Sequence, residues 1–419
     1  MLGATSSSSN TLSSRGFGLG SLLILFGVVA PAGAMGLGLL TAVCGLFAAF
    51  AGGVSRFFQK LGKPHAALFA YWAFIAWAGF SFAWSPTHDI EYAGILLGIA
   101  ILPPLLGWIA AVSSAYDKTI IRRAAVSCFV ILVVGLMVEA LFAYPFSKIS
   151  TEYDDVGALI RNLARGGVCA LALCFVAAAC AWRLTLKPAL VGGILFAGAI
   201  VSFQFNVIAN PIGYFAGLIA AGAALLLPRA VIMAIFTGAA ALVMSAPWFY
   251  PTAAAFGRAV SPTGELSLSN EFRARMWDYA SARIFEHPIL GWGFQSARTF
   301  TEETVVRGWT VTRLQIHPHS APLQIWLETG LIGASFAAIA LLMAGWVLGK
   351  SLEKDRIVAA ALAGSATILL TVYAFSYSIW DDWLVALISV VGAILIASLA
   401  NVTERDLATS VSKSEFEAL

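Results

Sequence analysis

Twelve long apolar stretches with almost no charge follow one another along this chain: residues 17–33, 35–51, 66–84, 91–112, 124–143, 166–182, 188–205, 211–227, 230–247, 321–349, 357–378 and 383–400. A helix needs about 20 mostly apolar residues to cross the hydrocarbon of a bilayer. Within hydrocarbon every backbone N–H and C=O must be paired inside the protein, which leaves helices or closed barrels. The expected fold is therefore an all-α integral membrane protein with about twelve transmembrane helices. The first two stretches share one apolar run divided near Pro31. Composition agrees, since 60% of residues are hydrophobic and 11% charged, against about 45–50% and about 25% in soluble domains.

Lysine and arginine in short loops set the orientation, because they collect on the cytoplasmic side. With the N-terminus inside, that side holds Arg15, Arg56, Lys60, Lys63, Lys118, Arg122, Arg123, Arg183, Lys187, Arg229, Lys350, Lys354, Arg356, Arg405 and Lys413. The short outer loops near 31–34, 85–90, 206–210 and 379–382 hold neither residue type. Both termini are expected in the cytoplasm. The Ser-rich start, Ser6 to Ser9, reads as a disordered tail, and the first apolar run as a retained anchor. Cys44, Cys128, Cys169, Cys174 and Cys180 all fall in apolar stretches without metal-ligand spacing, as small packing residues do.

Two outer segments, 144–165 and 248–320, break the pattern of short uncharged loops. The larger has seven arginines and no lysine: Arg258, Arg273, Arg275, Arg283, Arg298, Arg307 and Arg313. The smaller adds Arg161, Arg165 and Lys148. Lysine would serve solubility equally well. Guanidinium is a permanently charged planar fork that grips phosphate through two parallel hydrogen bonds. The skew thus points to phosphate or pyrophosphate recognition. Salt bridging to Glu265, Glu271, Asp278, Glu286, Glu302 and Glu303 of the same loop is the alternative.

Within that loop, SNEFRARMWDYASARIF (269–285) predicts an amphipathic helix capped by Ser269 or Asn270. Phe272, Met276, Tyr279 and Ala280 mark its apolar face, which suits a membrane surface. In the following PILGWGFQSAR, Gly291 and Gly293 permit a turn or a close backbone approach. The loop closes on HPHSAP. Pro318 disfavours helix at His317, and Pro322 fits a first helical turn. His319 or Ser320 is then expected at the N-terminus of the next span, where free N–H groups favour phosphate. A histidine there can act as acid, base or phosphate donor, or simply cap the helix. A metal would need further ligands, and no carboxylate or Cys cluster accompanies HPH at ligand spacing. Glu328 and Glu139 lie within apolar stretches, where an ionisable group is costly and needs partners. A role in holding helices together is the simpler reading for both.

Four patches resemble the O-antigen ligase and polymerase superfamily of bacterial inner-membrane glycan enzymes. They are ARGGVCALAL (164–173), with Ala164 where the family has Asn; RARMW (273–277); HPILGWGFQSAR (287–298); and HPHSAPLQIWLETGLIG (317–333), with Ser320 where Asn is common. Ten residues also separate His319 from Gly330, as in the family's ligase motif.

This resemblance implies a GT-C type membrane transferase with a large periplasmic loop containing short helices, in the bacterial inner membrane. On that reading residues 1–16 form a cytoplasmic tail, 17–247 about nine membrane helices, 248–320 the periplasmic loop, 321–400 about three more helices, and 401–419 a second tail. The implied donor is a glycan on undecaprenyl pyrophosphate. The acceptor is a sugar hydroxyl of lipid A–core for a ligase, or another lipid-linked glycan for an O-antigen or exopolysaccharide polymerase. Beside membrane lipids no other partner is implied: no cofactor, no metal, no nucleotide sugar and no nucleic acid. The implied catalytic residues are His319, Arg273 and Arg165, with Arg275, Arg298, Arg161 and His317 binding substrate. A transporter or glycan flippase is the rival class. It would show matching halves and a long central inner loop, whereas here the long loop follows the ninth stretch on the outer side.

Overall fold

The computed structural model describes residues 12–34, 36–52, 66–87, 89, 91–150, 156–204 and 208–399. The Ser6–Ser9 tail, Arg56, Lys60, Lys63 and residues 401–419 lie outside them. Twelve apolar helices account for the twelve stretches: α1 (Ser14–Val29), α2 (Leu37–Gly52), α3 (Ala66–Ser81), α4 (Glu91–Val112), α5 (Ala115–Leu141), α6 (Val156–Thr185), α7 (Pro188–Phe203), α8 (Ala209–Leu226), α9 (Pro228–Val260), α11 (Ala321–Ser351), α12 (Arg356–Phe375) and α13 (Asp382–Ser398). Between α9 and α11 lie α10 (Leu268–Glu286) and a two-stranded antiparallel sheet, β1 (Glu303–Val306) with β2 (Trp309–Thr312). Among the described residues nine of these helices are long and apolar enough to cross a bilayer, and α2, α7 and α13 are shorter apolar helices. The protein is an all-α, multi-pass membrane protein.

The chain folds as two compact units. The first takes residues 1–59, 102–201 and 386–419. In it α1 packs on α5 and α5 on α6 at close range, made possible by small residues as in other membrane bundles. A Cβ on Gly27 of α1 would meet the Cys128 carbonyl of α5 at 2.7 Å, and one on Gly166 of α6 would meet the Leu136 side chain of α5 at 2.9 Å. Ser13 donates to Asp117 Oδ2 at 2.7 Å and its backbone N–H to Oδ1 at 3.0 Å, so one capping carboxylate at the start of α5 also fixes the start of α1. Glu139 Oε1 accepts the backbone N–H groups of Phe146 and Ser147, closing the turn after α5. Cys128, Cys169, Cys174 and Cys180 are buried and unbridged.

The second unit takes residues 60–101 and 202–385. Its core joins Phe74, Tyr250, Phe294, Leu323, Trp326 and Trp380 from α3, α9, α11 and the loops beside them. Three expectations are corrected here. Helix α9 does not stop at 247 but continues to Val260, because PTAAAFGRAV is helix-compatible after Pro251. Helix α6 likewise begins at Val156, so Arg161 and Arg165 sit on a helix rather than in a loop. Helix α10 is capped by neither Ser269 nor Asn270; it starts at Leu268 after Ser267. Its apolar face is taken up by the unit's own core, where Ala280 and Ile284 pack with Tyr250 and Phe294.

Candidate active site

The opening turn of α11 is built around the two prolines. Ser320 is its N-cap, accepting the Leu323 N–H at 3.3 Å, and Pro322 occupies the first turn. His319 has a positive φ of 50°, a conformation L-residues seldom adopt outside tight turns. Three contacts hold it there. Its backbone N–H donates to His317 Nδ1 at 3.1 Å. The preceding Pro318 carbonyl accepts from Trp277 Nε1 at 3.1 Å, which attaches the loop to α10. His319 Nδ1 lies 2.8 Å from the Ser376 carbonyl after α12.

That last contact fixes the tautomer. A carbonyl only accepts, so Nδ1 carries the proton and Nε2 presents its lone pair. Burial, chiefly, holds the imidazole below its ordinary pKa, with the nearby Arg273 charge acting in the same direction and the Ser376 carbonyl opposing. His319 is thus neutral near pH 7 and carries a hydrogen-bond acceptor on its second nitrogen.

The arginines of the large loop separate by partner. Glu271 takes Arg258 through two bonds, at 3.1 and 3.2 Å, and Arg275 Nε at 3.1 Å. The bonds from Arg258 are the largest influence holding that carboxyl below its usual range. Arg283 pairs with Glu286 and Glu302, and Arg307 with Glu265 at 2.9 Å. Four of the seven are therefore bound to loop carboxylates among the described residues, so salt bridging accounts for much of the arginine skew. Arg307 moreover sits with Gly308 in the tight β1–β2 turn, both at positive φ. Arg313 lies over the Tyr279 ring.

Arg273 and Arg298 differ. Among the described residues Arg273 has no carboxylate within ion-pair distance. It is half-buried, and burial shifts its pKa down while Tyr377 opposes the shift. Arg298 donates from Nε to Gln295 Oε1 at 2.8 Å, and its guanidinium lies 5.4 Å over the Tyr92 ring. The Arg273 charge is felt at His319, and the His317 ring lies tilted against the His319 ring, 4.5 Å between centroids. Arg161 and Arg165 belong to the first unit, where Arg165 Nη1 donates to Asn162 Oδ1 at 3.3 Å.

Below this cluster, α11 is broken. Gly330 has φ 63° and ψ −167°, a conformation open to glycine almost alone. A break leaves backbone groups unpaired, and here Leu327, Glu328 and Thr329 are buried away from water. The HPILGWG loop supplies the partners. Trp292 and Gly293 N–H donate to the Leu327 and Glu328 carbonyls at 2.8 and 2.9 Å, and Leu331 N–H donates to the Pro288 carbonyl at 2.8 Å. Trp77 Nε1 covers the Thr329 carbonyl at 2.9 Å. Gly291 and Gly293, at φ 70° and 97°, let the loop approach this closely. The Gly-rich turn therefore holds a broken helix.

Ser376 and Tyr377 are not among the residues the sequence singles out; the one signal for them is the density of aromatic and acidic residues in their segment, SYSIWDDW.

The family model described as O-antigen ligase matches residues 155–338, which include α6, α9, α10, the hairpin and the first half of α11. Over this segment, somewhat under half of its length, the chain is similar to the O-antigen ligase family. A protein of Rickettsia typhi and one of Rickettsia prowazekii, each named as a proposed polysaccharide ligase, are 30% identical to the chain over 118 residues. The match covers 26% of this chain and only 28% of each relative's length.

Proposed function

We propose that this chain is a glycan transferase of the O-antigen ligase type, acting at the periplasmic face of a bacterial inner membrane, with both termini cytoplasmic. The donor is a glycan on undecaprenyl pyrophosphate, and the acceptor is a sugar hydroxyl of lipid A–core. The observation that carries this reading is the pairing of a tautomer-fixed, neutral His319 with Arg273, an arginine unclaimed by any described carboxylate.

The chemistry follows from those two groups. The acceptor oxygen attacks the anomeric carbon as His319 Nε2 takes its proton. The bond from that carbon to the pyrophosphate oxygen breaks, and the electron pair leaves on the lipid diphosphate. Negative charge grows on the leaving group, where the fixed guanidinium of Arg273 stabilises it, with Arg298 as second candidate. Arg275 and His317 are proposed to help bind the substrate. For Arg165 as a further catalytic residue and Arg161 as a substrate ligand, both on the first unit, the test is the glycan-transfer rate of Arg165→Ala and Arg161→Ala.

Analysis of a deletion strain tests the proposal. Unmodified lipid A–core beside full-length lipid-linked polymer is expected. Accumulation of single repeat units would make the chain a polymerase using the same donor. Unaltered surface polysaccharide, with substrate flux into proteoliposomes, would make it a transporter.

A further inference from the structure

Glu328 lies two and a half turns below His319, fully buried in the broken part of α11. It is not a lone acid tolerated by the fold. Both its oxygens accept hydrogen bonds. Oε2 takes the Gln295 backbone N–H at 3.0 Å and the Trp380 indole N–H at 2.6 Å, and Oε1 takes Gln324 Nε2 at 2.9 Å. The orientation of the Gln324 amide is set from its other end, because its Oε1 accepts the Ile379 backbone N–H at 3.2 Å.

These bonds lead to two places. Gln295, held at positive φ, receives Arg298 Nε on its own Oε1 at 2.8 Å. Ile379 and Trp380 belong to the turn after α12, which Ser378 and Asp381 close with bonds of 3.1 and 3.2 Å. Three residues earlier in that turn is the Ser376 carbonyl that fixes His319. The carboxylate therefore joins the loop bearing Arg298 to the loop that determines the His319 tautomer.

We propose that Glu328 is a positioning residue: it sets the His319 tautomer and the Arg298 side chain together, through Gln324, Trp380 and Gln295, without touching substrate. Helix cohesion alone would be met by apolar packing, and a buried carboxylate is an expensive way to achieve it. Three convergent donors from separate segments need an acceptor with two oxygens. Glutamine has nearly the same shape but sets an NH₂ group against one of those N–H donors.

The catalytic part of this inference rests on the proposed transferase reading, so the test has an arm independent of activity. In full-length protein carrying ¹³C,¹⁵N-labelled histidine, NMR of the imidazoles should show His319 as the Nδ1–H tautomer, assigned by His319→Gln. In Glu328→Gln that signal should move toward a mixture of tautomers. The glycan transfer rate should fall tenfold or more, with a much smaller change in the acceptor KM. Trp380→Phe removes one donor and keeps the ring packed on Phe74 and Phe294, so it serves if Glu328→Gln does not fold. It should show the same two changes in smaller degree. An unchanged His319 tautomer in the folded variant overturns the proposal, and so does a changed tautomer with an unchanged rate. Absence of transfer by the wild-type protein would instead overturn the transferase reading and leave the tautomer arm to decide the positioning.

Discussion

Gly291 and Gly330 face each other backbone to backbone: a Cβ built on either would stand 2.6 Å from the amide nitrogen of the other. Gly330→Ala adds the cost of a conformation essentially restricted to glycine, about 1–3 kcal/mol, to a clash with the Ile289 carbonyl. The variant should show a lower unfolding midpoint in detergent and greatly reduced membrane levels. A Gly330→Ala protein as stable as wild type would show that the break in α11 is not a fixed part of the fold.

Substituting the proposed base should leave the fold and remove the chemistry. His319→Gln is expected to insert normally and lose about 10²–10⁴ of the transfer rate, the usual worth of a general base. In the wild type, the base must be unprotonated to act. Because burial lowers its pKa, the rate should stay level down to the ordinary imidazole value of about 6.5 and decline only below it. A rate already halved at neutral pH on the acid side would contradict a buried neutral imidazole.

Arg273→Lys keeps the positive charge and discards the planar fork. We expect a loss of about 10–100-fold in kcat/KM, on the scale of one lost charge-assisted hydrogen bond of about 1.5–3 kcal/mol. Arg275→Ala should cost less, because that side chain already bonds Glu271. Kinetics of the two variants side by side decide this, and equal losses would mean that pairing with Glu271 does not set Arg275 apart.

Glu271→Gln should act on stability. The carboxylate joins Arg258 of α9 to Arg275 of α10, and losing its charge should remove about 1–2 kcal/mol, the lower part of the range for hydrogen bonds to a charged group because both arginines are partly exposed. Its pKa is depressed in the folded protein. The stabilisation is therefore present above the unfolded carboxylate value of about 4.3 and is lost as pH falls through the lower folded value. Thermal unfolding of wild type and variant should converge on acidification; a constant gap between them would rule out this linkage.

The apolar stretches announced every membrane helix to within a few residues at many ends, because burying a backbone in lipid leaves no alternative to helix. Ends facing water were less legible. The extensions of α9 to Val260 and α6 back to Val156 carry no period break or capping residue to mark where lipid stops. The β1–β2 hairpin was hidden because TVVRGWTVT makes its turn with Arg307-Gly308 rather than Asn-Gly. At the candidate site, the type and order of His317, His319 and Arg273 could be read directly. Their partners could not. The Ser376 carbonyl is a backbone atom 57 residues away in sequence from His319, and side-chain patterning cannot reveal it. The division of the arginines into bound and unbound had the same origin, since it depends on which carboxylate folds against which fork.

The interrupted α11 also constrains how the protein is made. Its Leu327 and Glu328 carbonyls are completed by Trp292 and Gly293, some 35 residues upstream. A ribosome delivers those residues first, and they must be free to meet the helix that needs them as it leaves the translocon. Until the two meet, the nascent span carries bare carbonyls into hydrocarbon. Biogenesis of this helix is thus tied to the loop made before it, and shortening residues 287–293 should strand α11 outside the bilayer even though its own residues are untouched.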